Sequence, residues 1–127
     1  MATIKSYSDL QQSKKLAEIL PLESADMCWC LATKGNPKAM FNEGYNEYGD
    51  FELPCWSLSA LISIIPQELF YGEYIINITE GCDNRWVLTY DHHENRNHSY
   101  YSLSIGADNP VDACYKMIIR LHELNLL

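Results

Sequence analysis

The sequence predicts an α+β fold, a single two-layer domain with about three helices packed on a three- or four-stranded, mainly antiparallel sheet. Three segments between Tyr74 and Ile105 are rich in β-branched and aromatic residues and are joined by polar loops, which is typical of an antiparallel meander. The helical segments precede and follow these strands without regular alternation, so parallel βαβ units are not expected. Because 127 residues, 47% of them hydrophobic, are enough for one core, residues 1–127 are predicted to form one domain.

The first elements are predicted from a cap and from two contrasting segments. Ser8 and Gln11 fit a capping box, and the apolar spacing that follows predicts a helix ending at Pro21. Residues 27–32 are all apolar and predict a strand buried on both faces. Residues 39–54 hold no regular period and predict a long ordered loop, with a short strand near Met40 and Phe41.

A second helix, three strands and a third helix complete the predicted fold. Apolar residues at helical spacing predict that the second helix ends at Pro66. They are Leu58, Leu61, Ile62 and Ile65. Strands are predicted at residues 74–79, 85–90 and 100–105, with a four-residue hairpin loop at residues 81–84 and a longer loop at residues 91–97. Asn109 and Pro110 predict the cap and first residue of a helix that ends near Asn125.

The composition of the chain limits where it acts. Residues 1–13 are polar and charged, unlike a secretory signal, so a cytoplasmic location is expected. No apolar run approaches the ~20 residues of a membrane-spanning helix. The five cysteines are an odd number and are expected to be free thiols.

The negative charge is concentrated in the middle of the chain. The formal net charge is -8, and residues 42–84 contain eight acidic residues with no Lys or Arg. Such a segment repels phosphates, so direct binding to nucleic acid is not expected. It indicates either a solvated acidic surface or a docking site for a basic protein.

An acidic, tyrosine-rich loop is the candidate partner-binding site. Tyrosine mixed with acidic residues is a composition that suits protein–protein contact. The candidate residues are Glu43, Tyr45, Glu47, Tyr48, Asp50, Phe51 and Glu52. The alternative is that the aromatic rings cover the rim of the sheet.

Cysteines and histidines supply the alternative, enzymatic interpretation. Cys28 and Cys30 would share one face of a strand, but no second ligand pair completes a zinc site, so no metal or cofactor is expected. A polar loop contains Asp91, His92, His93, Glu94 and His98. A histidine there would be a general base if Asp91 or Glu94 oriented it. The candidate nucleophiles are Cys82 and Cys55, and the dipole of the second helix is expected to lower the pKa of Cys55. No catalytic residue is assigned.

Three motifs carry a resemblance to a known family. They are Glu-Ser-Ala-Asp-Met at residues 23–27, Pro-Cys-Trp-Ser-Leu at residues 54–58 and Asn-Pro-Val-Asp-Ala-Cys at residues 109–114. Together they resemble a family of small proteins, with no established function, that is common in phages and mobile elements of gut anaerobes of the Bacteroides group. The resemblance implies an accessory protein made inside a bacterial cell.

These observations favour a non-enzymatic protein–protein interaction module that uses the acidic, tyrosine-rich loop. A small Cys/His-dependent enzyme is the alternative, and an acidic mimic of DNA is the third hypothesis. A homodimer is a further option, because an open sheet edge invites pairing. No membrane partner is expected.

Overall fold

The computed structural model describes residues 5–31, 36–42, 52–81, 83–92, 94 and 103–127. Within these ranges the chain forms three α-helices and two antiparallel sheets, which confirms the predicted α+β class. The strands divide between a three-stranded and a four-stranded sheet, whereas the sequence predicted one. The chain itself divides into two compact units, the N-terminal unit (residues 6–61) and the C-terminal unit (residues 1–5 and 62–127).

The N-terminal unit contains one helix and one sheet. Helix α1 (Leu10–Ile19) and a 3-10 turn (Leu22–Ser24) precede strand β1 (Met27–Cys30). Strands β2 (Lys38–Phe41) and β3 (Glu52–Cys55) pair antiparallel with β1 on either side of it. The strand predicted at residues 27–32 is confirmed over Met27–Cys30, although of these residues only Met27 is buried. Strand β3 lies in the segment predicted as loop, and β2 is the short strand predicted near Met40 and Phe41.

The cap of α1 differs from the prediction by one residue. Asp9 accepts a hydrogen bond from the Gln12 N–H at 2.8 Å, and the Gln12 side chain accepts from the Asp9 N–H at 3.1 Å. Ser8, the predicted cap, is instead buried, and its hydroxyl accepts from the Trp56 N–H at 3.1 Å. The Ser8 hydroxyl therefore binds the backbone of Trp56 and does not cap α1 as the sequence pattern had predicted.

Helix α2 (Leu58–Ile64) follows β3 and leads into the four-stranded sheet of the C-terminal unit. This sheet has the order β4 (Glu68–Leu69), β5 (Tyr74–Glu80), β6 (Trp86–His92) and β7 (Ile105–Ala107). The antiparallel meander from β5 to β7 is confirmed, and the register Glu80 to Trp86 leaves a five-residue connection at residues 81–85. The third strand begins at Ile105, where the predicted one ended. Strand β4 was not predicted.

Helix α3 (Pro110–Glu123) packs on β6 and β7. Its cap is the predicted one, because the Asn109 side chain accepts from the Asp112 N–H at 2.8 Å and Pro110 opens the helix. Buried apolar side chains of the helix, the sheet and the segment before β7 form the core of this unit. They include Leu88, Tyr90, Leu103, Val111, Cys114, Met117, Ile118 and Leu121.

Candidate functional site

Most of the predicted partner-binding loop lies outside the described residues. Its members there are Glu43, Tyr45, Glu47, Tyr48, Asp50 and Phe51. The last candidate, Glu52, is described: it is the exposed first residue of β3 and pairs with Cys30 of β1.

The two ends of this loop are held at opposite edges of the three-stranded sheet. Because β2 and β3 flank β1, the segment leaves one edge after Phe41 and returns at the other edge at Glu52. The first end is fixed by Asn42, whose backbone N–H donates to the Asp26 carbonyl at 3.0 Å and whose side chain donates to the Ala25 carbonyl at 3.2 Å. A rigid sheet that carries a long connection is the usual setting for a binding loop.

Exposed apolar side chains lie where the loop begins. Phe41 is 69% exposed and Met40 is 54% exposed, both on edge strand β2. Their side chains leave opposite faces of the strand, because successive residues alternate. Large apolar groups exposed on an edge strand are typical of interaction surfaces, and they promote aggregation when no partner covers them.

The carboxylate of Glu52 contacts a thiol of the neighbouring strand. Cys28 Sγ donates to Glu52 Oε2 at 3.2 Å. The pKa of Cys28 is raised to about 11, chiefly by burial and in addition by the hydrogen bond and the negative charge of Glu52. The thiol of Cys28 is therefore protonated at neutral pH and less nucleophilic than a thiol of ordinary pKa.

The predicted polar loop is in part a strand. Asp91 and His92 are the last two residues of β6 and point to opposite faces of the sheet. Asp91 accepts hydrogen bonds from the Asn77 amide and from the Thr89 hydroxyl. That it orients a histidine of this loop stays a prediction. His93 and His98 lie outside the described residues.

One partner of His92 is a glutamate, Glu73, that the sequence did not indicate. Glu73 Oε1 lies 3.7 Å from His92 Nε2, and the ring of Tyr74 meets the imidazole edge-on with centroids 5.5 Å apart. Glu94 contributes its backbone N–H, which donates to His92 Nδ1 at 3.3 Å. The contact could have been inferred only from the register of the β5–β6 hairpin. Tyr74 pairs with His92, and this pairing brings Glu73, the residue before Tyr74, close to the imidazole.

Cys55, one of the two candidate nucleophiles, is fully buried beside Ser8 and Ser13. Burial raises the pKa of its thiol, so the expectation that the helix dipole lowers this pKa is wrong. The hydroxyls of Ser8 and Ser13 act in the opposite direction and do not offset the burial. The other candidate, Cys82, lies outside the described residues.

Neither a metal site nor a membrane-spanning helix is found in the described part of the chain. No three His, Cys, Asp or Glu residues among those described are grouped to hold a metal ion. In the same residues, no helix has the length and apolar character needed to cross a membrane. Comparison with protein-family models, with curated proteins and with solved structures returned no match.

Proposed function

We propose that the protein is a non-enzymatic interaction module, an accessory protein of a phage or mobile element that binds a protein partner in the bacterial cytoplasm. The contact surface is the acidic, tyrosine-rich loop of residues 43–52 together with the side chains of Met40 and Phe41. The partner carries a basic surface, because residues 42–84 contain eight acidic residues without Lys or Arg.

The exposure of Phe41 and Met40 carries this proposal. Two large apolar side chains, 69% and 54% exposed, stand on an edge strand immediately before the loop. An apolar contact rimmed by charge is the composition of protein-binding patches. The buried, protonated thiol of Cys55 gives the enzymatic alternative no comparable support.

Affinity capture from bacterial extract tests the proposal with a charge-matched pair of variants. The test variant replaces four acids of the loop with their amides, at Glu43, Glu47, Asp50 and Glu52. The control variant makes the same change of charge elsewhere, at Glu18, Glu23, Asp108 and Glu123.

A partner retained by the wild type and the control but lost from the test variant is the expected result. Equal retention by all three proteins would show that the loop is not the contact. If no protein is retained by the wild type, the proposed function is wrong. The DNA-mimic hypothesis makes a separate prediction, since it requires retention of a nucleic-acid-binding protein that weakens steeply with salt.

A further inference from the structure

Strand β5 is longer than the strand that covers its outer edge. Strand β4 pairs with Tyr74 and Ile75 alone, whereas β6 pairs with all 7 residues of β5. Among the described residues, no strand pairs with the outer edge of β5 beyond Ile76. An uncovered strand edge is a template on which another extended chain can add.

The backbone groups that face this edge follow from two observed hydrogen bonds. The Ile76 N–H donates to the Gln67 carbonyl at 3.0 Å, on the β4 side. The Gly81 N–H donates to the Arg85 carbonyl at 2.6 Å, on the β6 side. Because backbone groups alternate between the two edges of a strand, Ile78 and Glu80 face outward like Ile76. Each of these two residues presents an N–H donor and a carbonyl acceptor to an incoming chain.

An apolar cleft of about 240 Å³, here called the isoleucine cleft, lies beside the open edge. Its lining residues are Ile62, Ile65, Gln67, Ile75, Ile76 and Ile78. Ile76 and Ile78 pair with Tyr90 and Leu88 of β6, so they lie on the same face of the sheet as these buried residues. Ile62 is nevertheless 43% exposed and Ile78 is 39% exposed. A strand added at the edge would bring an alternate side chain into the cleft and remove this apolar surface from water.

The charge around the edge defines the chemistry of the incoming chain. Residues 62–84 contain four acidic residues and no Lys or Arg. Glu80 ends the open edge, and Glu68 lies on β4, the strand that an added chain would continue. The next base in sequence, Arg85, lies over Gly106 on β7, at the opposite edge of the sheet. A second copy of this chain would bring the same acids to the edge, whereas a basic segment would neutralise them.

We propose that the open edge of β5 from Ile76 to Glu80 accepts an extended segment of a basic partner protein, which adds to the sheet as a strand in line with β4. Apolar side chains of that segment enter the isoleucine cleft, and its alternate Lys or Arg side chains lie on the opposite face of the sheet, which carries Glu68 and Asp91. The inference rests on the proposed function and names the kind of segment that the partner supplies.

The probe for this surface is a capped seven-residue peptide of alternating Lys and Val that begins and ends with Lys. The peptide is expected to add antiparallel to β5, as β4 does. In that direction the Val residues that face the cleft donate their N–H groups to β5, whereas the Lys N–H groups face away. N-methylation of every Val therefore removes the bonds to β5, and N-methylation of every Lys provides the matched control. We expect at least about tenfold weaker binding of the Val-methylated peptide than of the Lys-methylated one.

Amide hydrogen exchange locates the bound peptide. Binding of the unmethylated peptide is expected to slow exchange at the Ile78 and Glu80 amides, while the Thr79 amide, which faces β6, changes little. A peptide with Glu in place of Lys is expected to leave all three unchanged. Equal affinity of the two methylated peptides, or no added protection at Ile78 and Glu80, would overturn the proposal.

Variants of the protein give an independent test. Ile78→Pro removes an outward N–H while leaving the pairing with β6, and should abolish peptide binding, whereas Ile78→Val should retain it. If Ile78→Pro does not fold, Ile62→Asn serves instead, with binding expected to weaken about fivefold. The control for Ile62→Asn is Leu127→Asn, which makes the same kind of change at another exposed apolar residue and should bind the peptide as the wild type does.

Two further measurements distinguish the proposed site on β5 from self-association and from the proposed interaction function as a whole. A wild type that sediments as a dimer and becomes a monomer in Ile78→Pro would show that a second copy occupies the edge, which overturns the proposal; a monomeric wild type supports it. In affinity capture, a partner that Ile78→Pro retains as well as the wild type does would refute the β5 inference while leaving the interaction function intact.

Discussion

Asp26 holds Ser57 by two hydrogen bonds. The Ser57 N–H donates to Asp26 Oδ1 at 2.9 Å, and the Ser57 hydroxyl donates to Asp26 Oδ2. The same hydroxyl accepts from the Ala60 N–H at 3.2 Å, as a cap residue does in the first turn of a helix. The carboxylate of Asp26, one residue before β1, thereby fixes the start of α2.

Replacing this carboxylate is expected to destabilise the protein. Asp26→Ala leaves the Ser57 N–H without its acceptor and should lower the free energy of unfolding by about 2–3 kcal/mol. Ser57→Ala, which removes the helix cap, should lower it by about 1–2 kcal/mol. Urea unfolding measures both, with Glu23→Ala at an exposed site as the control. A cost for Asp26→Ala no larger than that of the control would contradict the assigned role.

The turn between β4 and β5 contains residues in a conformation that favours glycine. Phe70 has a φ of 55° and Tyr71 a φ of 58°, and Gly72 follows with a φ of 85°. The Tyr71 side chain is fully exposed, so Tyr71→Gly relieves the strained backbone without loss of packing. We expect a net gain in unfolding free energy of about 0.5–1 kcal/mol. Gly72→Ala should have the opposite effect, and thermal unfolding that ranks the two variants the other way would refute this account.

Adjacent proline substitutions in β5 test the direction of its backbone groups. Thr79 pairs with Val87 and directs its N–H toward β6, while the Ile78 N–H faces the open edge. Thr79→Pro should therefore be less stable than Ile78→Pro by about 2 kcal/mol, because it leaves a ladder bond unmade. Equal destabilisation in urea would show that both edges of β5 are covered.

The reactivity of Cys28 should rise steeply with pH. Its pKa is raised to about 11 by burial and by Glu52, so on the order of one thiol in a thousand is ionised at pH 8. Alkylation at Cys28, followed by peptide mass spectrometry, should accelerate about tenfold per pH unit up to pH 10. Glu52→Gln removes the negative charge, lowers the pKa and should raise the rate at pH 8 several-fold. No change in that rate would mean that the carboxylate does not act on the thiol.

The raised pKa of the buried Cys114 thiol predicts that the protein loses stability at high pH. Burial raises the pKa of Cys114 from 9.0 to about 11, so between these values the unfolded chain loses its proton before the folded one does. The free energy of unfolding is expected to be unaffected by this thiol below pH 8 and to decrease as the pH rises from 9 to 11. Cys114→Ala should show a weaker decrease over this range in urea unfolding, and an equal decrease would contradict the assignment.

Local sequence signals predicted the elements whose boundaries depend on neighbouring residues alone. Asn109 and Pro110 begin α3 as expected, because a cap and an N1 proline act within one turn. The α1 boundary shifted because two adjacent residues were both able to cap, and a tertiary bond to Trp56 occupied Ser8. Strand β4 has only 2 residues and leaves no periodic pattern to detect.

The candidate site was less predictable than the fold, since it depends on which strands become neighbours. The open edge of β5 exists because β4 begins only at Glu68, and the contact of Glu73 with His92 follows from the hairpin register. Neither relationship is encoded at a fixed sequence spacing. The concentration of acids in residues 42–84, by contrast, was evident from the sequence.

The most direct test of the interaction function is calorimetric titration of the wild type with the purified protein that it captures. The account predicts that the loop variant, with amides at residues 43, 47, 50 and 52, binds at least about tenfold more weakly, and that its charge-matched control binds like the wild type. An equal Kd for the wild type and the loop variant would contradict the account.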